Sequence, residues 1–166
     1  MRVYNLTSEK WAIDNLQNRR IKISTIEDLN DPFELQGLQL TKKEHRNAFK
    51  QMKKRLHKNH GLLCFSKSWE NPVLWSHYGD KHRGICLGFD VPDEMLEPID
   101  YVESMELVDL NLIKSINQLD ENFMKKIIFQ KFKDWRYEEE YRGWAGLDEK
   151  DSTTGLFSWS FLTLYN

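Results

Sequence analysis

Apolar and polar positions alternate from the start of the chain, where Val3-Tyr4-Asn5-Leu6 predicts a first strand. Thr7 or Ser8 then caps a helix reaching about Asn18, with Trp11, Ile13 and Leu16 as its apolar face. Ile21-Lys22-Ile23-Ser24 alternates again as a half-buried second strand, and Asn30-Asp31-Pro32 closes a turn-rich loop. From Thr41 to about Asn59 a helical period returns, with Ala48, Phe49, Met52 and Leu56 as an apolar stripe. Leu62 to Ser66 and Gly84 to Phe89 are short apolar runs bounded by turn residues, the pattern of buried strands. Between them Pro72 starts a short helix carrying Val73, Trp75, Ser76, His77 and Tyr78.

Ile99 to Val102 predicts a further strand, and Leu107 to Trp135 contains a helix centred on Phe123 to Phe132. Trp135 to Trp144 reads as a strand in which Glu138, Glu140 and Arg142 share one face and Glu139 points the other way. The apolar stretch from Leu156 to Tyr165 is a core strand or a dimer edge. This order of elements predicts one α+β domain over residues 1–166, a small twisted mixed sheet flanked by helices.

Composition narrows the class. The chain has 166 residues, of which 40% are hydrophobic, enough to bury a core without disulfide or metal support. Its 24 Lys and Arg against 26 Asp and Glu give a net charge of -2, which argues against nucleic-acid coating through the overall field. The opening residues turn polar at once, and the longest apolar stretch falls far short of the ~20 residues of a bilayer span, so a cytoplasmic protein with no membrane association is expected. Two cysteines suit a reduced compartment. Cys64, His77, His82 and Cys86 are zinc-ligand types without knuckle spacing, and no metal is expected.

Several constellations carry candidate chemistry. Glu138 and Glu140 on one strand face would repel, raising one pKa while the other stays ionised to steady a developing cation. Arg142 on that face would instead neutralise them as a structural ion network. Ser66 and Ser68 emerge at a strand end, where they bind a ligand or cap a turn. Trp75, His77 and Tyr78 offer an imidazole beside ring surfaces, for stacking a base or nicotinamide or simply for packing. Lys42, Lys43, Arg46, Lys50, Lys53 and Lys54 give the 41–59 helix a basic face, suited to nucleic-acid phosphates or to solvation.

The ordered set Leu29-Asn30-Asp31-Pro32-Phe33-Glu34, Cys64-Phe65-Ser66, Leu74 to Asp80, His82 to Asp90 and Trp135 to Arg142 resembles the bacterial family labelled domain of unknown function 2971, from the first strand to about Trp144. The layout also resembles the ADP-ribosyltransferase fold of DNA-targeting bacterial toxins. In that superfamily a first strand carries Tyr-His or Arg, a middle strand a hydroxyl or aromatic residue, and a late strand the catalytic Glu. Val3 to Thr7, Phe65-Ser66-Lys67-Ser68 and Glu140-Tyr141-Arg142 match those three elements, with Asn5 where His is expected. That superfamily commonly continues beyond this point, so an abbreviated C-terminal sheet is expected.

The resemblance implies NAD as cofactor, in a toxin or phage-defence setting, with Glu140 steadying the oxocarbenium ion formed when the nicotinamide–ribose bond breaks. Glu138 would be its polarising neighbour and His77 an acid/base. Tyr4, Asn5, Asn30, Asp31, Ser66, Ser68, Trp75, Tyr78 and Arg142 would be the cofactor-binding set. Two readings stand beside it. One is a nuclease-like effector gripping nucleic acid with the basic helix and cutting with His77, His82 and the Glu pair. The other is a noncatalytic module whose Trp-rich surface binds a protein partner.

Overall fold

A computed structural model describes residues 1–25, 57–104, 128–147 and 151–160, together with helical positions 43, 47, 50, 51 and 54. The fold is α+β. Its main sheet joins β5 (Ile85–Asp90), β1 (Arg2–Thr7), β4 (His60–Ser66), β9 (Glu140–Gly146) and β6 (Glu97–Pro98) in that order, with β3 (Ser24–Thr25) also on β4. Every pairing in it is antiparallel. Among the described residues, parallel pairing, expected within a mixed sheet, occurs only in a separate ribbon of β7 (Asp100–Val102) and β8 (Gln130–Phe132). A second ribbon pairs β2 (Arg20–Lys22) with β10 (Ser158–Ser160), so residues 158–160 of the apolar C-terminal stretch form a paired strand.

β4 is central because both its edges are taken. β9 runs along one edge from His60↔Gly146 to Ser66↔Glu140. β3 and β1 share the other, β3 at Gly61 and Leu62 and β1 at Ser66. Alternation then separates two faces. Val3, Leu63, Phe65 and Ala145 enter a core with Ile21, Ile23, Val91 and Leu96. Each of the Val, Leu, Ile and Phe side chains, fully buried, contributes roughly 1.5–3 kcal/mol. Tyr4, Leu6, Cys64, Ser66, Glu140 and Arg142 alternate with them and line a cavity.

Helix α1 (Glu9–Gln17) starts after Ser8 as expected, although that side chain makes no capping bond. Its inward face differs from the expected one. Ala12 and Asn15 are buried, while Ile13 and Leu16 are 43% and 59% exposed. The small Ala12 lets the helix pack closely, and Trp11, Asp14 and Asn15 turn toward the cavity at neighbouring helical positions. Ile21 to Ser24 is likewise split between two sheets, because β2 pairs with β10 and β3 with β4.

Helix α2 (Pro72–His77) has Pro at its first position and Asn71 as N-cap, whose side chain accepts from the Val73 N–H at 2.9 Å. Asp80, Lys81 and His82 then follow in left-handed backbone, with φ of 45°, 55° and 66°. The Gly84 N–H donates to the Gly79 carbonyl at 2.7 Å and closes this turn. A Cβ on Gly84 would lie 2.2 Å from the Thr7 carbonyl oxygen and 2.8 Å from the Gly79 carbonyl carbon, both backbone atoms. Gly84→Ala is therefore expected to cost about 2 kcal/mol or more. Urea unfolding checks this, and a midpoint equal to the wild type would contradict it.

Two expectations near the end of the chain fail. The helix centred on 123–132 does not reach Phe132: Ile128 is helical, but Gln130–Phe132 is the strand β8, held parallel to β7 with the Asp100 N–H donating to the Phe129 carbonyl at 2.8 Å. Trp135 to Trp144 is not one strand. Lys133–Glu138 is a 3₁₀ helix, Glu139 is left-handed with φ 44° and ψ 48°, and the strand begins only at Glu140. Its ladder partner β4 ends at Ser66, opposite Glu140, so the residues before Glu140 have no ladder partner on β4 and coil instead. Residues 105–127 and 161–166 lie outside the described residues. No helix among the described residues is long and apolar enough to cross a membrane.

Candidate functional site

A cavity of about 370 Å³ opens against the sheet, within the usual size range of small-molecule sites. Its walls come from β1 (Tyr4, Asn5, Leu6), α1 (Trp11, Asn15), β4 (Cys64, Ser66), Tyr78 at the end of α2, and the segment around β10 (Thr154, Leu156, Phe157, Ser158). One end is charged: Lys131, Glu138, Glu140 and Arg142 all reach it.

That charged end is closed by direct bonds. The Arg142 Nε donates to Glu140 Oε1 at 2.7 Å and its Nη2 to Oε2 at 3.0 Å, a two-pronged pairing. Its Nη1 donates to the Ile128 carbonyl. Lys131 Nζ lies 3.0 Å from Glu140 Oε2 and 2.5 Å from Glu138 Oε2. The Tyr78 hydroxyl donates to the other Glu138 oxygen at 2.5 Å. Trp135 stands over the Lys131 ammonium, 4.8 Å from ring centre to nitrogen. Two carboxylates and two cations balance in charge, which a buried cluster requires.

The two acids are pushed apart in pKa. Burial would raise Glu140, but the charges and hydrogen bonds of Arg142 and Lys131 overcome it and hold the carboxyl at about 2. Burial raises Glu138 above the ordinary carboxylate range against the pull of Lys131 and Tyr78. Burial also pushes Tyr101 up to about 12, and its hydroxyl accepts from the Glu140 N–H at 2.8 Å, fixing the start of β9. Glu138 is placed by Ser66, whose hydroxyl lies 2.6 Å from the Glu138 carbonyl oxygen and 2.6 Å from that of Ser68. That hydroxyl also accepts from the Ser68 N–H at 3.2 Å, so Ser66 does cap the turn while its side chain borders the cavity.

Of the residues singled out from sequence, Tyr4, Asn5, Ser66, Tyr78, Glu138, Glu140 and Arg142 converge on the cavity. Arg142 takes the neutralising place against Glu140. Ser68, Trp75 and His77 are not among the lining residues. The Trp75 indole donates to the Trp69 carbonyl at 2.6 Å, and the exposed His77 ring packs on Tyr78, Trp135 and Tyr137 with centroids 6.0–6.3 Å apart. Asn30 and Asp31 lie outside the described residues. So do Lys42, Arg46 and Lys53 of the basic helix, whereas Lys43, Lys50 and Lys54 are exposed on helical backbone. His82 sits on the exposed left-handed turn and is not among the residues lining the cavity.

Lys131, the cation between the two acids, was missed by sequence reasoning. Its signal was a lysine inside the apolar run Ile127-Ile128-Phe129-Gln130-Lys131-Phe132, shortly before a cluster of acids. A buried lysine needs carboxylate partners, and here it is 3% exposed. Arg20 was missed as well. It lines the cavity and binds Asp151 at 2.7 Å and Asp14 at 3.2 Å, tying the segment before β10 to α1.

A family model described as a protein of unknown function (DUF2971) matches residues 74–143. It is the family to which the sequence motifs point. The matched segment runs from α2 into β9 and carries Tyr78, Lys131, Glu138, Glu140 and Arg142, the whole charged end of the cavity. Neither a curated protein nor a solved structure matches the chain.

Proposed function

We propose that the cavity takes the nicotinamide–ribose end of NAD, and that Glu140 supports cleavage of the bond between them, with ADP-ribosyl transfer or hydrolysis as the outcome. The observation that carries this reading is one line of residues. Tyr4, Ser66 and Glu140 face each other in register on three adjacent strands, β1, β4 and β9, at the wall of one cavity. The ADP-ribosyltransferase resemblance links these same three elements.

The chemistry follows from the charges. Leaving nicotinamide puts positive charge on the ribose, and a carboxylate held ionised in a water-poor site stabilises that charge without reorganising. Glu140, with a pKa of about 2, is ionised throughout the neutral range. Tyr4 and Trp11 offer ring surfaces at the same cavity for the departing heterocycle.

Incubation of the purified protein with NAD, alone and with protein and nucleic-acid acceptors, is expected to release nicotinamide. Glu140→Gln is expected to lower that rate by about 100-fold or more. Glu140→Asp, which keeps the charge but withdraws the carboxylate, should fall between. No release under any condition, or an unchanged rate in a Glu140→Gln protein with native circular dichroism, would overturn the proposal.

A further inference from the structure

We infer that Asn15 reads the ring substituent of the departing heterocycle, so that the cavity takes substrates carrying nicotinamide and rejects their nicotinic acid counterparts. This rests on the NAD reading proposed above and narrows it to the amide form of the dinucleotide.

The inference starts from an imbalance among buried polar groups. Ser66, Gln130, Lys131, Glu138, Glu140 and Arg142 are buried, and the side chain of each has a hydrogen-bond partner within the protein. Asn15 is only 6% exposed, yet its side chain has no hydrogen-bond partner among the described residues. It lines the cavity. A carboxamide taken out of water with its donor and acceptor unpaired is costly, so a ligand that supplies both partners gains what the protein itself leaves unmade.

The place of Asn15 on α1 decides what it meets. It follows Trp11 by one helical turn, so the two share a side of the helix, and both line the cavity. A heterocycle laid on the Trp11 ring brings its ring substituent to the Asn15 amide. Nicotinamide carries a carboxamide, and Asn15 answers both of its ends: Nδ2 donates to the ligand carbonyl oxygen, and Oδ1 accepts from the ligand N–H. Nicotinate offers acceptors only, so Oδ1 would face a carboxylate oxygen with no proton between them. The surrounding charge acts in the same direction. Arg20 lines the cavity, but Asp14 and Asp151 already bind its guanidinium, one cation against two carboxylates. At the charged end Lys131 and Arg142 are taken by Glu138 and Glu140. Lys22 also lines the cavity, but it is exposed, and solvent screens its pull.

The test compares kcat/KM for NAD with that for nicotinic acid adenine dinucleotide, and the affinities of free nicotinamide and nicotinic acid by NMR titration of the full chain. The wild type should prefer the amide form by about 100-fold in both comparisons, because the acid leaves the buried amide of Asn15 unpaired. Asn15→Leu, similar in volume but apolar, should reduce each preference by about tenfold or more through weaker binding of the amide form. Its urea midpoint should equal or exceed that of the wild type, since no hydrogen bond within the protein is lost. Asn15→Ala serves as the second variant if leucine disturbs the packing of α1. Equal cleavage of the two dinucleotides, or an undiminished preference in either folded variant, would overturn this inference and leave the NAD reading standing. Selective binding of nicotinamide without cleavage of either dinucleotide would overturn the cleavage and keep the assignment of Asn15. Neither binding nor cleavage would overturn both.

Discussion

Lys131→Met is expected to destabilise the protein by about 3–5 kcal/mol, because it leaves two buried carboxylates facing each other with Arg142 alone to balance them. At this chain length that corresponds to a fall in melting temperature of roughly 10 °C. Lys131 is 3% exposed and bonded to both acids, so no water can take its place without rearrangement of β8 and the 3₁₀ helix. Charge, rather than volume, is what the substitution removes, since methionine fills similar space beneath Trp135. The double variant Lys131→Met/Glu138→Gln should accordingly recover at least half of the loss, because Glu140 and Arg142 remain as a balanced pair. Losses that simply add in the double variant would contradict this account of the cluster.

The second large effect is a loss of stability in acid. Glu140 has its folded pKa held at about 2 against an ordinary value of 4.5. A depressed carboxylate contributes stability that is present above its unfolded pKa and lost as pH falls toward the folded one. The window is therefore pH 4.5 down to about 2, and the loss is on the order of 3 kcal/mol. Glu138 acts in the opposite sense. Its raised pKa gives stability that is complete below 4.5 and is lost as pH rises through the folded value, so its change falls above the Glu140 window and leaves the decline there to Glu140. Urea unfolding at a series of pH values should show the decline, and Glu140→Gln should flatten it. An equally steep decline in that variant would place the acid sensitivity elsewhere.

The parts of the fold legible in the sequence were those set by local pattern. β1, β4 and β5 are alternating or apolar runs between turn residues, and α2 carries Pro and an Asn cap in the expected places. What pattern could not show was set by pairing at long range. Gln130–Phe132 has the look of a helix continuation and becomes a strand because Asp100–Val102 lies beside it. The Glu138-Glu139-Glu140 run looks like an alternating strand and turns left-handed at Glu139, where β4 runs out. Both carboxylates still reach one cavity, but for a different reason: one comes from a 3₁₀ helix, the other from a strand, and Lys131 draws them together. Likewise Ile13 and Leu16 of the apolar stripe of α1 face outward, because the buried Ala12 sets the helix's approach to the sheet.

The central claim is that this cavity receives the nicotinamide–ribose half of NAD beside Tyr4 and Glu140. Saturation-transfer NMR of NAD with the full chain tests it most directly, because it reports which ligand protons touch protein. The account predicts the strongest transfer to the nicotinamide ring and its attached ribose, weakened by Tyr4→Ala. Transfer confined to the adenine half, or none at all, would contradict it.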